Sequence, residues 1–190
     1  MKEMTLHYAF KPSLLGAVWE FELTPDALIW RAGRRTGHWL YKDIAQVRLS
    51  YRPQSMQAQR YRADLRHKDG ARIALLSVTW RGMLALSAQS ADYRAFLLDL
   101  HRRLIAANSQ TEYVSGLKRP LYVLGFGVLV VLGLTMALLG LRAMFEGAYA
   151  GAAFVAAFMA LGGWQMGGFM WRNRPGPYAP DQIPAKLLPN

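Results

Sequence analysis

The chain contains no cysteine, which excludes disulfide bridges and any cysteine-ligated metal. Histidine is scarce. His7, His38, His67 and His101 are scattered, none at metal-ligand spacing with another. No Gly-x-Ser-x-Gly elbow, no phosphate-binding P-loop and no glycine-rich dinucleotide turn occurs, and the serines have no recognisable base partner. These gaps leave no candidate catalytic residue, cofactor or metal, and an enzyme is not expected. Acidic residues are also in short supply, 12 against 23 Lys and Arg, for a net charge of +11. Residues 1–119 hold 19 of the basic and 10 of the acidic groups, so most of the excess lies ahead of the apolar part of the chain. Such a balance points to an anionic partner, either lipid headgroups or nucleic acid.

Charge is absent altogether from two long stretches. Leu121–Leu141 is 21 residues and Gly147–Trp171 is 25 residues, with only Arg142 to Glu146 between them. A helix rises about 1.5 Å per residue, so each stretch can cross a hydrocarbon core of roughly 30 Å. Backbone groups in lipid must be paired within their own segment, so both are expected to be helices forming an antiparallel transmembrane hairpin over 121–171. No signal-peptide pattern precedes them, so the first run is expected to act as its own insertion signal. Lys118 and Arg119 lie before the hairpin and Arg172 and Arg174 after it, against Arg142 alone in the turn. By the positive-inside rule both termini belong in the cytoplasm. Neither span contains Asp, Glu, Lys, Arg or His, so no ion or proton relay is indicated.

The soluble part reads as follows. Residues 1–16 form an irregular lead-in. From Ala17 the pattern has period two, with Trp19, Phe21 and Leu23 on one face. Thr24-Pro25-Asp26 is a turn, Ala27–Ala32 a second strand, Gly33–Gly37 a basic loop and His38–Tyr41 a third strand. Ile44–Tyr51 and Gln59–His67 alternate again around a polar loop at 53–58, and Lys68-Asp69-Gly70 turns the chain into Arg72–Thr79. About six strands are expected. Tyr93, Phe96, Leu97, Leu100 and Leu104 then recur at helical spacing, with Ser90 a candidate N-cap. Residues 109–120 read as a polar linker. The segment 172–190, with Pro175, Pro177, Pro180, Pro184 and Pro189, reads as an extended cytoplasmic tail, either disordered or docked through Ile183, Leu187 and Leu188.

Consecutive antiparallel strands capped by one amphipathic helix resemble a pleckstrin-homology (PH) barrel. The stretch Phe21–Gly33 is similar to the opening hairpin of bacterial PH-like domains. Trp39-Leu40-Tyr41-Lys42-Asp43-Ile44-Ala45-Gln46-Val47 resembles their next element. The resemblance covers about Val18–Ala107. It implies an α+β fold, a PH-like antiparallel barrel or sandwich over 17–108, and a non-catalytic binding or scaffolding module beside a bacterial inner membrane. Lipid-binding eukaryotic members place basic residues around the first hairpin loop. Thr24-Pro25-Asp26 has none, so inositide recognition does not carry over.

Two sets of residues are candidates for contact. Arg48 and Arg52 share one strand face, and Arg60, Arg62 and Arg66 share one face of the next, with Lys68 beyond and Asp64 interrupting. If the strands pair, five guanidiniums line one surface, suited to anionic headgroups or an acidic partner. The ordinary alternative is a solvated sheet face kept soluble by charge. Nucleic acid is not expected, because period two puts the tyrosines and arginines on opposite faces. In the second span, Gly147, Gly151, Ala152, Ala156, Ala160, Gly163 and Gly167 form small-residue rows. These are expected to serve packing of the two helices, with one row left for a second copy or another membrane protein.

Overall fold

A computed structural model describes residues 5–13, 15–52, 60–80 and 86–189. The chain forms two compact units, Met1–Gly116 with Gly176–Asn190, and Leu117–Pro175. The fold is α+β, with largely antiparallel sheets and two long apolar helices, and among the described residues no sheet is closed.

In the first unit, β1 (Leu6–Phe10), β2 (Trp19–Leu23), β3 (Ala27–Ala32) and β4 (Arg35–Leu40) make a four-stranded antiparallel meander. The lead-in is therefore partly strand. Tyr8 and Phe10 are buried while His7 and Ala9 are exposed, a period too short to stand out beside Pro12. The first hairpin connection is consequently 11–18, and Thr24-Pro25-Asp26 is the second. Between β3 and β4 the turn is tighter than the sequence suggested. Ala32 pairs with Arg35 around Gly33, whose φ of 62° suits the first central position of a two-residue hairpin.

A 3-10 turn, Tyr41–Asp43, leads into β5 (Ile44–Tyr51), β6 (Tyr61–His67) and β7 (Arg72–Leu76). The polar loop expected at 53–58 lies outside the described residues. The strand expected over 72–79 breaks at Ser77, whose hydroxyl accepts from the Tyr61 N–H at 2.9 Å. Beyond it β8 (Val78–Trp80) pairs with β9 (Leu86–Ala88). Helix α1 (Ser90–Ala106) follows, with Gln89 rather than Ser90 at the cap position. Its buried stripe is the expected one, Tyr93, Phe96, Leu97, Leu100 and Leu104. Phe96 packs on Tyr8 and Phe21, with ring centroids 5.5 and 6.3 Å apart. Each such fully buried side chain stabilises the fold by about 1.5–3 kcal/mol relative to exposure.

The expected linker and tail are built into this unit. Within 109–120, β10 (Glu112–Ser115) pairs parallel with β5, and β11 (Gly176–Pro177) pairs antiparallel with β10. The second sheet is thus β11-β10-β5-β6-β7. The parallel step needs a long connection, which α1 supplies. Beyond β11, Tyr178 packs edge-on against Tyr113 and tilted against His101, with centroids 5.7 and 5.8 Å away. A second 3-10 turn, Ala185–Leu187, packs on β5, and Leu187 and Leu188 are buried. The tail is docked.

The second unit is α2 (Arg119–Phe145) and α3 (Tyr149–Arg172), antiparallel, and both are long and apolar enough to cross a membrane. Their turn is a Schellman motif. The Gly147 N–H donates to Met144 O at 3.1 Å and the Ala148 N–H to Ala143 O at 2.8 Å, with Gly147 at φ 75°.

Two buried details make measurable predictions. Gly37 faces Trp30 across β3 and β4, and a Cβ there would sit 2.3 Å from the indole nitrogen. Gly37→Ala is expected to displace the ring, costing about 1–3 kcal/mol and red-shifting tryptophan emission; thermal unfolding of the detergent-solubilised chain checks this. His101 is buried. Leu97 O, 2.7 Å from Nδ1, can only accept, so Nδ1 carries the proton and Nε2 accepts from the Tyr178 hydroxyl at 2.8 Å. Burial holds the imidazole down to about 4 from 6.5, against the raising effect of the Leu97 bond. Above pH 6.5 neither folded nor unfolded chain is protonated there. As pH falls from 6.5 towards 4 only the unfolded chain takes up the proton, so stability falls by about 1.4 kcal/mol per unit. The melting temperature should drop across that window, and less so in His101→Gln.

Candidate functional site

The arginine strands pair as the sequence suggested. β5 and β6 are antiparallel, with Arg48 opposite Asp64, Ser50 opposite Arg62 and Gln46 opposite Arg66. The ladder extends to Arg52, whose N–H donates to Arg60 O at 2.8 Å. Val47, Leu49 and Tyr51, with Tyr61, Ala63 and Leu65, are buried on the inner face. The arginines therefore share the outer one. β7 adds Arg72 opposite Arg66, a residue the sequence reading left out. The signal was available, because the Lys68-Asp69-Gly70 hairpin fixes that pairing. Glu112 of β10 is the other omission. It stands opposite Gln46 and accepts a hydrogen bond from its side-chain amide.

The face is not uniformly positive. Arg62 donates through Nε and Nη2 to Asp64 Oδ1, at 2.8 and 2.5 Å. Both side chains are about 30% exposed, so the bond positions the guanidinium more than it stabilises the fold. Lys68 lies at the hairpin end and pairs loosely with Asp43 at 3.5 Å, spending its charge locally. Arg60 is half-buried. Its pKa is lowered first by desolvation, then by the charges of Arg62 and Arg52. These three guanidiniums are thus gathered at one end of the face. Arg48 occupies the middle, and Arg66 with Arg72 the other end. Such an array can hold an oxyanion through charge-assisted bonds.

A separate cleft of about 380 Å³, absent from the sequence reading, lies among Pro25, Asp26, Leu40, Tyr41, Lys42, Arg103, Ala106 and Ala107. Its polar wall is internally engaged. Thr24 O accepts from the Tyr41 hydroxyl at 2.6 Å and from Arg103 Nη1 at 2.8 Å, while Arg103 Nε donates to Asp99 Oδ2 at 2.7 Å. Burial above all raises the Tyr41 hydroxyl to about 12, so it stays a neutral donor. With Asp26 and Lys42 both at the rim, the cleft has no single charge preference.

The small-residue rows of α3 are mostly turned away from α2. Half-covered positions on α2 are Tyr122, Gly125, Leu129, Gly133, Met136, Gly140 and Ala143. On α3 they are Ala152, Val155, Met159, Gly162 and Phe169. Both sets recur at mostly three- and four-residue spacings, as along a helix-pair seam. Only Ala152 of the expected set lies on it. Gly147 is in the turn because that position needs a left-handed backbone. Gly151, Ala156, Ala160, Gly163 and Gly167 are exposed, and a Cβ at Gly151, Gly163 or Gly167 would meet open space. Close approach instead occurs at Gly140, where a Cβ would lie 3.4 Å from Val155 Cγ1. The α2 glycines were overlooked because they follow no continuous four-residue row. Gly140→Leu should lower the thermal stability of the hairpin in detergent by about 1–3 kcal/mol through overpacking, whereas Gly163→Leu should leave it unchanged. A fall in detergent-corrected mass for Gly163→Leu would show that another chain covers that row.

Comparison of this chain with protein-family models, with curated proteins and with solved structures finds no match in any of the three.

Proposed function

We propose that this chain is an integral membrane protein of two spans, with both termini on the cytoplasmic side of a bacterial inner membrane. Its β-rich unit acts as a non-catalytic binding or scaffolding module that meets anionic lipid headgroups through the β5–β7 face. The observation that carries the reading is that the two apolar helices are inserted between adjacent strands of a unit whose outer sheet face bears Arg48, Arg52, Arg60, Arg62, Arg66 and Arg72. Only Gly116, Leu117 and Lys118 on one side, and Asn173 to Pro175 on the other, separate those strands from the helices. Three residues reach roughly 10 Å at most. That tether is far shorter than a dozen-residue linker and keeps the basic unit near the headgroups. Each arginine there gains about 1 kcal/mol from an anionic leaflet, within a screening length of about 8 Å at physiological salt.

The order of a four-stranded meander, a second antiparallel set and a following helix supports a PH-like description of the unit. An accessory-subunit role in a membrane enzyme or transporter complex is the second reading, supported by the exposed Ala156, Ala160, Gly163 and Gly167 row of α3.

The absence of cysteine makes any introduced thiol unique. With Ala74→Cys, on the outer face opposite Asp64, a polarity-sensitive dye is read in nanodiscs. Its emission should blue-shift in phosphatidylglycerol relative to phosphatidylcholine discs, the shift shrinking with salt. Arg60→Glu, Arg62→Glu and Arg66→Glu together should abolish the difference. Identical emission in both lipids rejects headgroup contact.

A further inference from the structure

The cleft bounded by the β2–β3 turn, the first 3-10 turn and the end of α1 carries charges of both signs that do not neutralise each other. Asp26 stands on the β2–β3 turn and Lys42 on the 3-10 turn, both exposed and both lining the cleft. Among the described residues neither takes part in an ion pair, with the other or with any third group. The carboxylate next to Lys42 in sequence, Asp43, pairs with Lys68 instead. The polar wall of the cleft is fixed, because Arg103 is held by Asp99 and by Thr24 O, which also accepts from the Tyr41 hydroxyl. Ala106 and Ala107 bring the C-terminal end of α1 to the same cleft. The Arg103, Leu104 and Ile105 carbonyls there are capped by backbone N–H groups, whereas those of Ala106 and Ala107 accept none among the described residues. A helix end of this kind carries a partial negative charge, roughly half an elementary charge, and favours a cation. The cleft thus offers two attractions for a cation, Asp26 and the helix end, and one for an anion, Lys42.

We infer that this cleft binds a small zwitterion, a molecule that carries a primary ammonium and a singly charged anionic group on a short chain. With Asp99 counted against Arg103 and Asp26 against Lys42, the charges of the site cancel, so a ligand of zero net charge matches it. A simple anion or cation would leave Asp26 or Lys42 without a counter-charge, and an uncharged molecule would desolvate both without return. A primary ammonium has three donors, enough for the Asp26 carboxylate and the free carbonyls of the helix end, and a quaternary one has none. Pro25, Leu40 and the two alanines provide apolar surface for the connecting carbons, and a volume of about 380 Å³ falls within the range of small-molecule sites. A free amino acid and the ethanolamine headgroup of a phospholipid share this chemistry. No residue lining the cleft belongs to β5, β6 or β7, so the site is separate from the basic face and does not rest on that reading.

The test uses the full chain in nanodiscs of phosphatidylglycerol, a lipid without an ammonium group. Glycine and glycerophosphoethanolamine are titrated calorimetrically at neutral pH and fixed ionic strength, beside ethanolamine, acetate and glycerophosphocholine. Expected is saturable binding of at least one of the first two, about tenfold tighter or more than any of the other three. Asp26→Asn and Lys42→Gln should each weaken it about tenfold, and Ala107→Trp, which fills the cleft, should abolish it, all with unchanged melting temperature. Arg34→Gln, in the β3–β4 turn outside the cleft, should leave it intact. Phosphatidylethanolamine then replaces part of the disc lipid. Weaker binding of the soluble probe assigns a lipid headgroup as the ligand; unchanged binding assigns a soluble one. Absence of saturable binding by both zwitterions overturns the inference, as does equal binding of ethanolamine, acetate or glycerophosphocholine. Variants at 26 and 42 that bind like Arg34→Gln also overturn it.

Discussion

The short pairing of β10 with β11 brings two distant parts of the chain into one sheet. Val114 faces Pro177 and Ser115 faces Gly176, reinforced by the Ser115 hydroxyl donating to Gly176 O at 2.9 Å. Residues 116–175 are the loop that this pairing closes. Closing so long a flexible loop carries an entropic cost. The antiparallel packing of α2 on α3 and the Leu117 N–H bond to Asn173 O at 3.0 Å hold the loop's ends together. The unit that the hairpin interrupts is discontinuous in sequence.

That discontinuity explains the chemistry of the tail. A segment with five prolines has few backbone donors to offer, so its docking relies on side chains. Tyr178 supplies both an aromatic face and a hydroxyl, Leu187 and Leu188 fill space beside β5, and Arg94 Nη1 reaches Pro189 O at 3.4 Å. His101 is held neutral at this junction by burial, with Nδ1 donating to Leu97 O and Nε2 accepting from the Tyr178 hydroxyl.

Electrostatics divides the outer sheet face by function. Where Arg62 meets Asp64 the charges are matched and the geometry is fixed. Where Arg52 lies opposite Arg60, the half-buried Arg60 is desolvated and sits next to the charges of Arg62 and Arg52.

Local pattern alone established much of this protein. Period two located β2, β5 and β6 and assigned their inner faces, because alternation is a property of each strand by itself, while flanking turns located β3. Helical period marked the buried stripe of α1, and uninterrupted apolar length marked α2 and α3. The arginine rows followed from the same alternation. What the sequence could not determine depends on residues far apart. β1 is five residues next to a proline, and β10 and β11 are four and two residues; segments so short carry no period of their own and become strands only through partners. The seam of the hairpin was misplaced because small residues report where helices can approach, while the crossing geometry decides where they do. The opposition of Arg52 and Arg60 above Ser50 required the β5–β6 register. A shift of one residue would have placed Ser50 on the same side as different neighbours, and only the folded ladder fixes that alignment.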